Sequence, residues 1–247
     1  MRSSIQTSRL AFPLVAFLLG ALLLGGCFKL SRESPPLRQY VLSATARPGA
    51  MAGAPAMAPA GGVTSPAARA TLTVGLRRMD LASYLSVQYL IVRRGTSELV
   101  TSEFHRWGED VGEGINRVVA AFLAGSPPVR AVDVAPWQPT SRHNFLVQLH
   151  VTRFEGVADS AATEGRVHVI AGWDIIRPVD GRVLWRGSTD DRRELWRVGD
   201  YTGLVRGLDA ALLHVARDIS ACVAQFPNDS TPPSACVATD STAGGSR

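Results

Sequence analysis

The stretches FLVQLHV at 145–151 and VHVIAGWDI at 167–175 decide the fold of this 247-residue chain. In both, the odd-numbered positions are apolar, and most of the residues between them are polar or glycine. Such alternation is typical of a β-strand with one buried face. The turn sequence PVDG at 178–181 and the apolar run VLWR at 183–186 follow the second stretch. The second half of the chain is therefore predicted to be an antiparallel meander of long strands.

The first half of the chain contains shorter strand patterns. The runs at 38–43 and 72–76 are of the β type. Two further apolar runs, 89–92 and 98–100, predict a hairpin across Arg94-Gly95-Thr96.

Two other stretches have the 3.6-residue period of amphipathic helices. The first runs from Glu109 to Gly125, and the second from Leu204 towards Pro227. The chain order is thus strands, helix, strands, helix. This order predicts an α+β fold, in which a largely antiparallel or mixed sheet has two main helices packed on one face.

The N-terminus has the features of a bacterial export signal. Two arginines precede an apolar run, 10–24, that is short for a membrane span and leads into the sequence LGGC at 24–27. This sequence resembles the lipobox of bacterial lipoproteins, so we expect Cys27 to become the acylated N-terminus. An ordinary secretory signal with a chance cysteine is the alternative. In lipoproteins of this kind, Asp after the cysteine usually retains the protein at the inner membrane. Phe28 stands there, so we expect the outer membrane, with the domain facing the periplasm.

These features divide the chain into four predicted parts. Residues 1–26 are a lipoprotein signal peptide, and residues 27–36 are a lipid-anchored tether. Residues 37–226 form a single α+β domain, with a disordered Ala/Pro/Gly-rich loop at 47–70. Residues 227–247 are a flexible C-terminal tail. After cleavage the net charge is about +3, and basic runs do not exceed two residues, so nucleic acid is not an expected partner.

The cysteine count indicates one disulfide. Cys27 is assigned to lipid, which leaves Cys222 and Cys236 as an even pair in an oxidising compartment. Their bond would close a loop of about 15 residues, worth roughly 3 kcal/mol. The alternative is a buried Cys222 on a helix face with Cys236 free in the tail.

The sequence contains no GxSxG elbow, P-loop, HExxH motif or dinucleotide-binding glycine fingerprint. If both long strands keep the same parity, His150 and His168 share the polar face of the sheet and lie close together. Asp174 is too far along the strand from His168 to complete a metal site, so we interpret both histidines as surface residues. The run Asp190–Arg193 is interpreted as a solvated charged loop. We therefore expect neither a metal nor a cofactor.

Arg106 and Trp107 are the candidate partner-binding residues. They stand immediately before the first predicted helix. Tryptophan and arginine often supply the binding energy of protein interfaces. The alternative is that Trp107 belongs to the core.

Several short motifs, taken together, resemble the auxiliary lipoprotein component of ABC-type transport systems, the family that includes paraquat-inducible protein C. The resemblance covers nearly all of 37–226. Besides the lipobox and the final helix, its motifs are QYVL at 39–42, YL at 84–85, LIVRR at 90–94, FHRW at 104–107, FE at 154–155 and AGW at 171–173. The long insertion at 47–70 and the pair Cys222 and Cys236 depart from the family pattern.

This resemblance implies a non-enzymatic, membrane-anchored subunit. Its partners would be an Mce-domain protein and its ABC permease, which move lipids or other hydrophobic molecules between the two membranes. A homo-oligomer is also implied. Two rival functions remain open at this point: an outer-membrane lipoprotein that activates a cell-wall enzyme, and an extracytoplasmic hydrolase. The hydrolase is disfavoured, because no nucleophile and general base that would lie close together can be identified from the sequence.

Overall fold

Two long antiparallel strands form the centre of the fold, where the alternation predicts them. The computed structural model describes residues 34–43, 71–159, 161–226 and 236. The chain divides into two compact units after Pro36, and the elements below belong to the second unit. In chain order they are β1 (Arg38–Tyr40), β2 (Leu72–Leu76), β3 (Asp80–Leu81), β4 (Tyr89–Arg94), β5 (Glu98–Trp107), α1 (Val111–Ala124), β6 (Val129–Val134), β7 (Phe145–Ala158), β8 (Glu164–Ile176), β9 (Val183–Asp191), β10 (Leu195–Arg197) and α2 (Tyr201–Val223).

The ten strands pair as one mixed sheet. The meander β7–β8–β9 and the hairpin β4–β5 are antiparallel, as predicted. Gly95 and Gly181 in the connecting turns have φ of +57° and +70°, which glycine adopts at no steric cost. The first half adds parallel pairs: β1 lies along β5, β2 lies between β6 and β7, and β4 lies along β7. The α+β prediction is confirmed. The strands β3, β6 and β10 were not predicted.

Both predicted helices are present, and each begins at an aspartate cap. Asp110 Oδ1 accepts a hydrogen bond from the backbone N–H of Glu113 at 3.0 Å, and Asp200 Oδ1 accepts one from Gly203 at 2.9 Å. α1 packs on β6 and on α2, and α2 packs across β8, β9 and β10. Their apolar stripes meet the core-facing residues of the sheet. Among the described residues, every helix is too short or too polar to cross a membrane.

A short strap, residues 41–43, ties the N-terminal strand to both helices. The side chain of Leu42 is buried in the core. The carboxylate of Asp209 on α2 accepts hydrogen bonds from the backbone N–H and the hydroxyl of Ser43, at 3.0 and 2.7 Å. Arg117 on α1 donates to the carbonyl of Leu42 at 3.0 Å. Burial raises the pKa of Asp209.

Candidate functional site

The candidate site is the face of the sheet opposite the two helices, which we call the outer face. Its polar residues include Tyr89, Arg93, Arg106, Arg153, Glu155, His168 and Asp190. A β-bulge between Val151 and Arg153 reverses the parity of β7, so Phe154 faces the core and Glu155 faces outward. The bulge therefore decides which charged side chains β7 presents on this face.

Glu155 is the centre of the outer face and is completely buried, with 0% of its surface exposed. Arg93 binds it through two hydrogen bonds, Nε to Oε1 at 2.5 Å and Nη2 to Oε2 at 3.2 Å. Arg153 adds a third, from Nη1 to Oε1 at 3.2 Å. This bidentate pairing is the arrangement that lets a carboxylate lie away from water. The hydrogen bond to Glu155 raises the pKa of Arg93.

Tyr84 covers the Arg93–Glu155 pair from one side. Its hydroxyl donates to the carbonyl of Thr152 at 3.1 Å, and its ring lies 5.6 Å from the guanidinium carbon of Arg93. Burial raises the pKa of Tyr84, and the negative charge of Glu155 adds to the shift. The phenol therefore stays neutral and acts as a fixed wall of the site.

His168 lies across the strand pair from Glu155 and has two competing partners. Its Nε2 atom is 2.9 Å from Oδ1 of Asp190 and 3.0 Å from Nε of Arg192. One nitrogen cannot both donate to the carboxylate and accept from the guanidinium, so Nε2 donates to Asp190 when it carries a proton and accepts from Arg192 when it does not. Burial lowers the pKa of His168, whereas the hydrogen bond from Arg192 lowers the pKa of Asp190.

The interpretation of Asp190–Arg193 as a solvated loop is wrong, because both aspartates end the strand β9. Adjacent strand residues point to opposite faces, so Asp190 joins the outer face. Asp191 is buried beneath α2, where Arg193 and His214 pair with it. Burial would raise the pKa of Asp191, but the hydrogen bonds from Arg193 and His214 outweigh it and lower that pKa.

The two histidines of the long strands are not close together, contrary to the prediction. His168 lies opposite Glu155, whereas His150 lies opposite Gly172, four residues further along β8. This separation is about 13 Å of strand. His168 is also buried rather than a surface residue. His150 has Asp80 and Asp174 as neighbours, at 3.0 and 3.6 Å. Among the described residues, no group of three or more His, Cys, Asp or Glu side chains could hold a metal ion.

One hydroxyl–imidazole pair that sequence reasoning missed lies on the opposite, helix-covered face. An irregularity in β5 brings Ser102 Oγ within 2.8 Å of His105 Nδ1. The His105 ring is stacked between Tyr40 and Tyr201, with ring centroids 6.0 and 4.2 Å away. Burial lowers the pKa of His105, and the charge of Arg38 adds to this. The buried hydroxyl and the stacked ring fit a packing contact better than a nucleophile and its base.

Two surface cavities lie outside this network. One, of about 510 Å³, borders the N-terminus of α1 and is lined in part by Arg78, Asp80, Asp110 and Glu113. The other, of about 500 Å³, lies beside the turn at 178–181. The charged lining of the first does not suit an acyl chain.

The comparisons with known proteins identify the family. The sequence model of the ABC-type transport auxiliary lipoprotein component matches residues 56–220, which is more than half of the chain. The chain belongs to this family. No curated protein gives a significant match to the auxiliary lipoprotein sequence.

Solved structures resemble this auxiliary lipoprotein at low sequence identity. Protein XCC0632 from Xanthomonas campestris is 16% identical, with a TM-score of 0.55, and the match covers 63% of this chain and 86% of that chain. The PelC dodecamer from Paraburkholderia phytofirmans is 15% identical over 61% and 89% of the two chains, with a TM-score of 0.37. Lipoprotein GNA1162 from Neisseria meningitidis is 11% identical over 59% and 97%, with a TM-score of 0.32. The first of these likenesses supports the fold.

The two candidate partner-binding residues of the auxiliary lipoprotein are separated by the sheet. Trp107 is only 7% exposed and packs near Phe154 in the core, with ring centroids 6.1 Å apart. Its burial favours the core alternative, and we do not propose it as a contact. Arg106 lies on the outer face, with its guanidinium carbon 5.0 Å from the ring centroid of Tyr89.

The cysteines of the auxiliary lipoprotein differ in what the structure describes. Cys222 on α2 and Cys236 form a disulfide, with their Cα atoms 4.8 Å apart. The predicted lipid attachment at Cys27 lies outside the described residues, as do the loop at 47–70 and nearly all of the tail from 227.

Proposed function

We propose that this chain is a non-enzymatic subunit of an Mce-type ABC transport system that moves lipids or other hydrophobic molecules between the inner and outer membranes. The family match over 56–220 is the observation that supports this most directly. The lipobox at 24–27 supports an anchor at Cys27, with the domain facing the periplasm from the outer membrane.

The outer face supports a binding role rather than a chemical one. Glu155 accepts hydrogen bonds from two arginines, and His168 lies between Asp190 and Arg192. A general base or nucleophile needs a group that is free to approach a substrate. These groups are instead engaged with one another, as expected of a rigid scaffold.

The partner is tested by co-purification from cells. The full chain carries a C-terminal affinity tag, and the envelope is treated with a short amine-reactive crosslinker before solubilisation. We expect an Mce-domain protein and its permease to be recovered with the chain. Recovery of a cell-wall synthase in their place would favour the activator function and contradict the proposal.

The anchor is tested separately by labelling with a fatty acid. We expect the Cys27→Ala variant to remain an unlabelled, uncleaved precursor, because the modified thiol is lost. The matched control replaces Cys222 and Cys236 with Ala together, and it should be labelled as the wild type is. Label in Cys27→Ala would contradict the lipoprotein assignment.

A further inference from the structure

We infer that the free edge of β1 is a lipid-contacting surface, on which the domain lies against the membrane that holds its anchor. The surface consists of Leu37 and Val41, which flank β1, with Arg106 beside them. This inference rests on the proposed lipid anchor at Cys27.

The edge exposes two apolar side chains to solvent, which is unfavourable. Leu37 is 51% exposed and Val41 is 58% exposed, and alternation along the strand places both on the same side. β1 pairs with β5 along one side, and its other side is an end of the sheet among the strands that the structure describes. An exposed edge with apolar side chains is a liability unless something covers it.

The position of this edge in the chain favours lipid as its cover. Nine residues lie between Cys27 and Leu37, and the ten Cα–Cα steps of that segment reach at most about 35 Å. β1 is the first element after the anchor in the part of the chain that the structure describes. The domain cannot move far from the bilayer at this edge, and apolar side chains held so near a membrane gain by inserting at its surface.

The positive charge of Arg106 fits a phospholipid surface. Arg106 lies beside Gln39 in the parallel register with β5, on the side of the strand that carries Leu37 and Val41. Guanidinium groups bind phosphate through paired hydrogen bonds. Two apolar side chains beside an arginine match the apolar and anionic layers of the headgroup region. The predicted contact Arg106 is thereby assigned to lipid phosphate.

The test uses the full acylated chain and a probe at one position. A polarity-sensitive fluorophore is attached to Val41→Cys, and the protein is reconstituted into phosphatidylethanolamine–phosphatidylglycerol vesicles, with and without nitroxide-labelled lipid. The matched control is Val179→Cys. Val179 is 85% exposed in the turn between β8 and β9, which lies beside the start of β7, whereas β4 pairs with the end of β7. We expect a blue shift and at least twofold quenching at position 41, and neither at position 179.

Three other results would overturn the inference. Equal spectra at the two positions would mean that the edge stays in water. A blue shift that grows with protein density without nitroxide quenching would mean that a second copy covers the edge, and a shift that needs the transport partner would assign the edge to protein. Vesicle flotation and fatty-acid label in the same preparation report on the anchor. Anchored protein without quenching therefore defeats only this inference, whereas unlabelled protein defeats the anchor and the inference together.

Discussion

The two faces of β7 and β8 are stabilised by different interactions. The face beneath the helices is apolar, and side chains such as Leu149, Val169 and Ile175 are almost fully buried. The outer face of the same strands buries Glu155 and His168, each held by charged neighbours. An apolar face is stabilised by the area that it removes from water, whereas a buried ionic network is stable only while every charge keeps its partner. The faces should therefore respond differently to substitution.

The largest expected effect is on the core side. Trp107→Ala should lower the free energy of unfolding by about 3–5 kcal/mol, because it leaves a cavity beside Phe154. Urea unfolding followed by circular dichroism measures the change. Arg106→Ala is the neighbouring control on the outer face and should cost about 1 kcal/mol or less. A Trp107→Ala protein that unfolds like the wild type would contradict the core assignment.

Removing one charge from the outer face should lower the stability of the protein. Arg93→Met should destabilise the protein by about 3 kcal/mol, because Glu155 stays buried with Arg153 as its remaining arginine. Arg93→Met combined with Glu155→Leu should recover most of that loss, since neither charge is then left alone. The same unfolding assay measures both variants. A double variant as unstable as the single one would show that the face depends on more than its pairing.

The disulfide provides a further test of stability on the helix side of the sheet. Replacing Cys222 and Cys236 with Ser together should cost about 2–3 kcal/mol, since the closed loop limits the unfolded chain. A reducing agent should destabilise the wild type by a similar amount and leave the double variant unchanged. Two freely alkylated thiols in protein isolated from the periplasm would rule out the bond.

The smallest effect is a dependence on pH from the outer face. Because the folded pKa of His168 is lowered by burial, the unfolded chain binds a proton first as the pH falls below about 6.5. Stability should decline from there down to the folded pKa. The decline should be shallower in His168→Gln. Asp190, whose folded pKa is lowered, would lose its contribution only in a more acidic range. Unfolding curves between pH 4 and 8 that are parallel for the two proteins would contradict this role of His168.

The alternation of apolar residues was sufficient to predict β7, β8, β9 and both helices. Period-2 and period-3.6 patterns report burial directly, so long elements with one buried face are readable from sequence. The short strands β3 and β10 offer too few residues for any period to be detected.

The candidate site could not be predicted in the same way, because it depends on two irregularities. The bulge after Val151 turns Glu155 outward, and the irregular register of β5 accompanies the placement of Trp107 in the core and Arg106 on the outer face. One extra residue reverses the face of every side chain beyond it. The parity argument placed His150 and His168 on the same face, but the strand register sets His150 opposite Gly172, four residues from His168. Of the outer-face residues, sequence analysis singled out Arg106 as a contact, and it did not predict the ion pairs that join its neighbours.

The strap at 41–43 gives the domain a mechanical attachment point. Any force on the N-terminal tether enters the domain through β1, whose three residues pair with β5. After β1, Ser43 is hydrogen-bonded to α2 and Leu42 is hydrogen-bonded to α1, so the force is transmitted to both helices. Under tension the N-terminal segment should detach from the rest of the domain in two stages. β1 separates from β5 first, and the strap at 41–43 separates from the helices second. Ser43→Ala should lower the rupture force of the second stage, as measured by pulling a single molecule from its N-terminus.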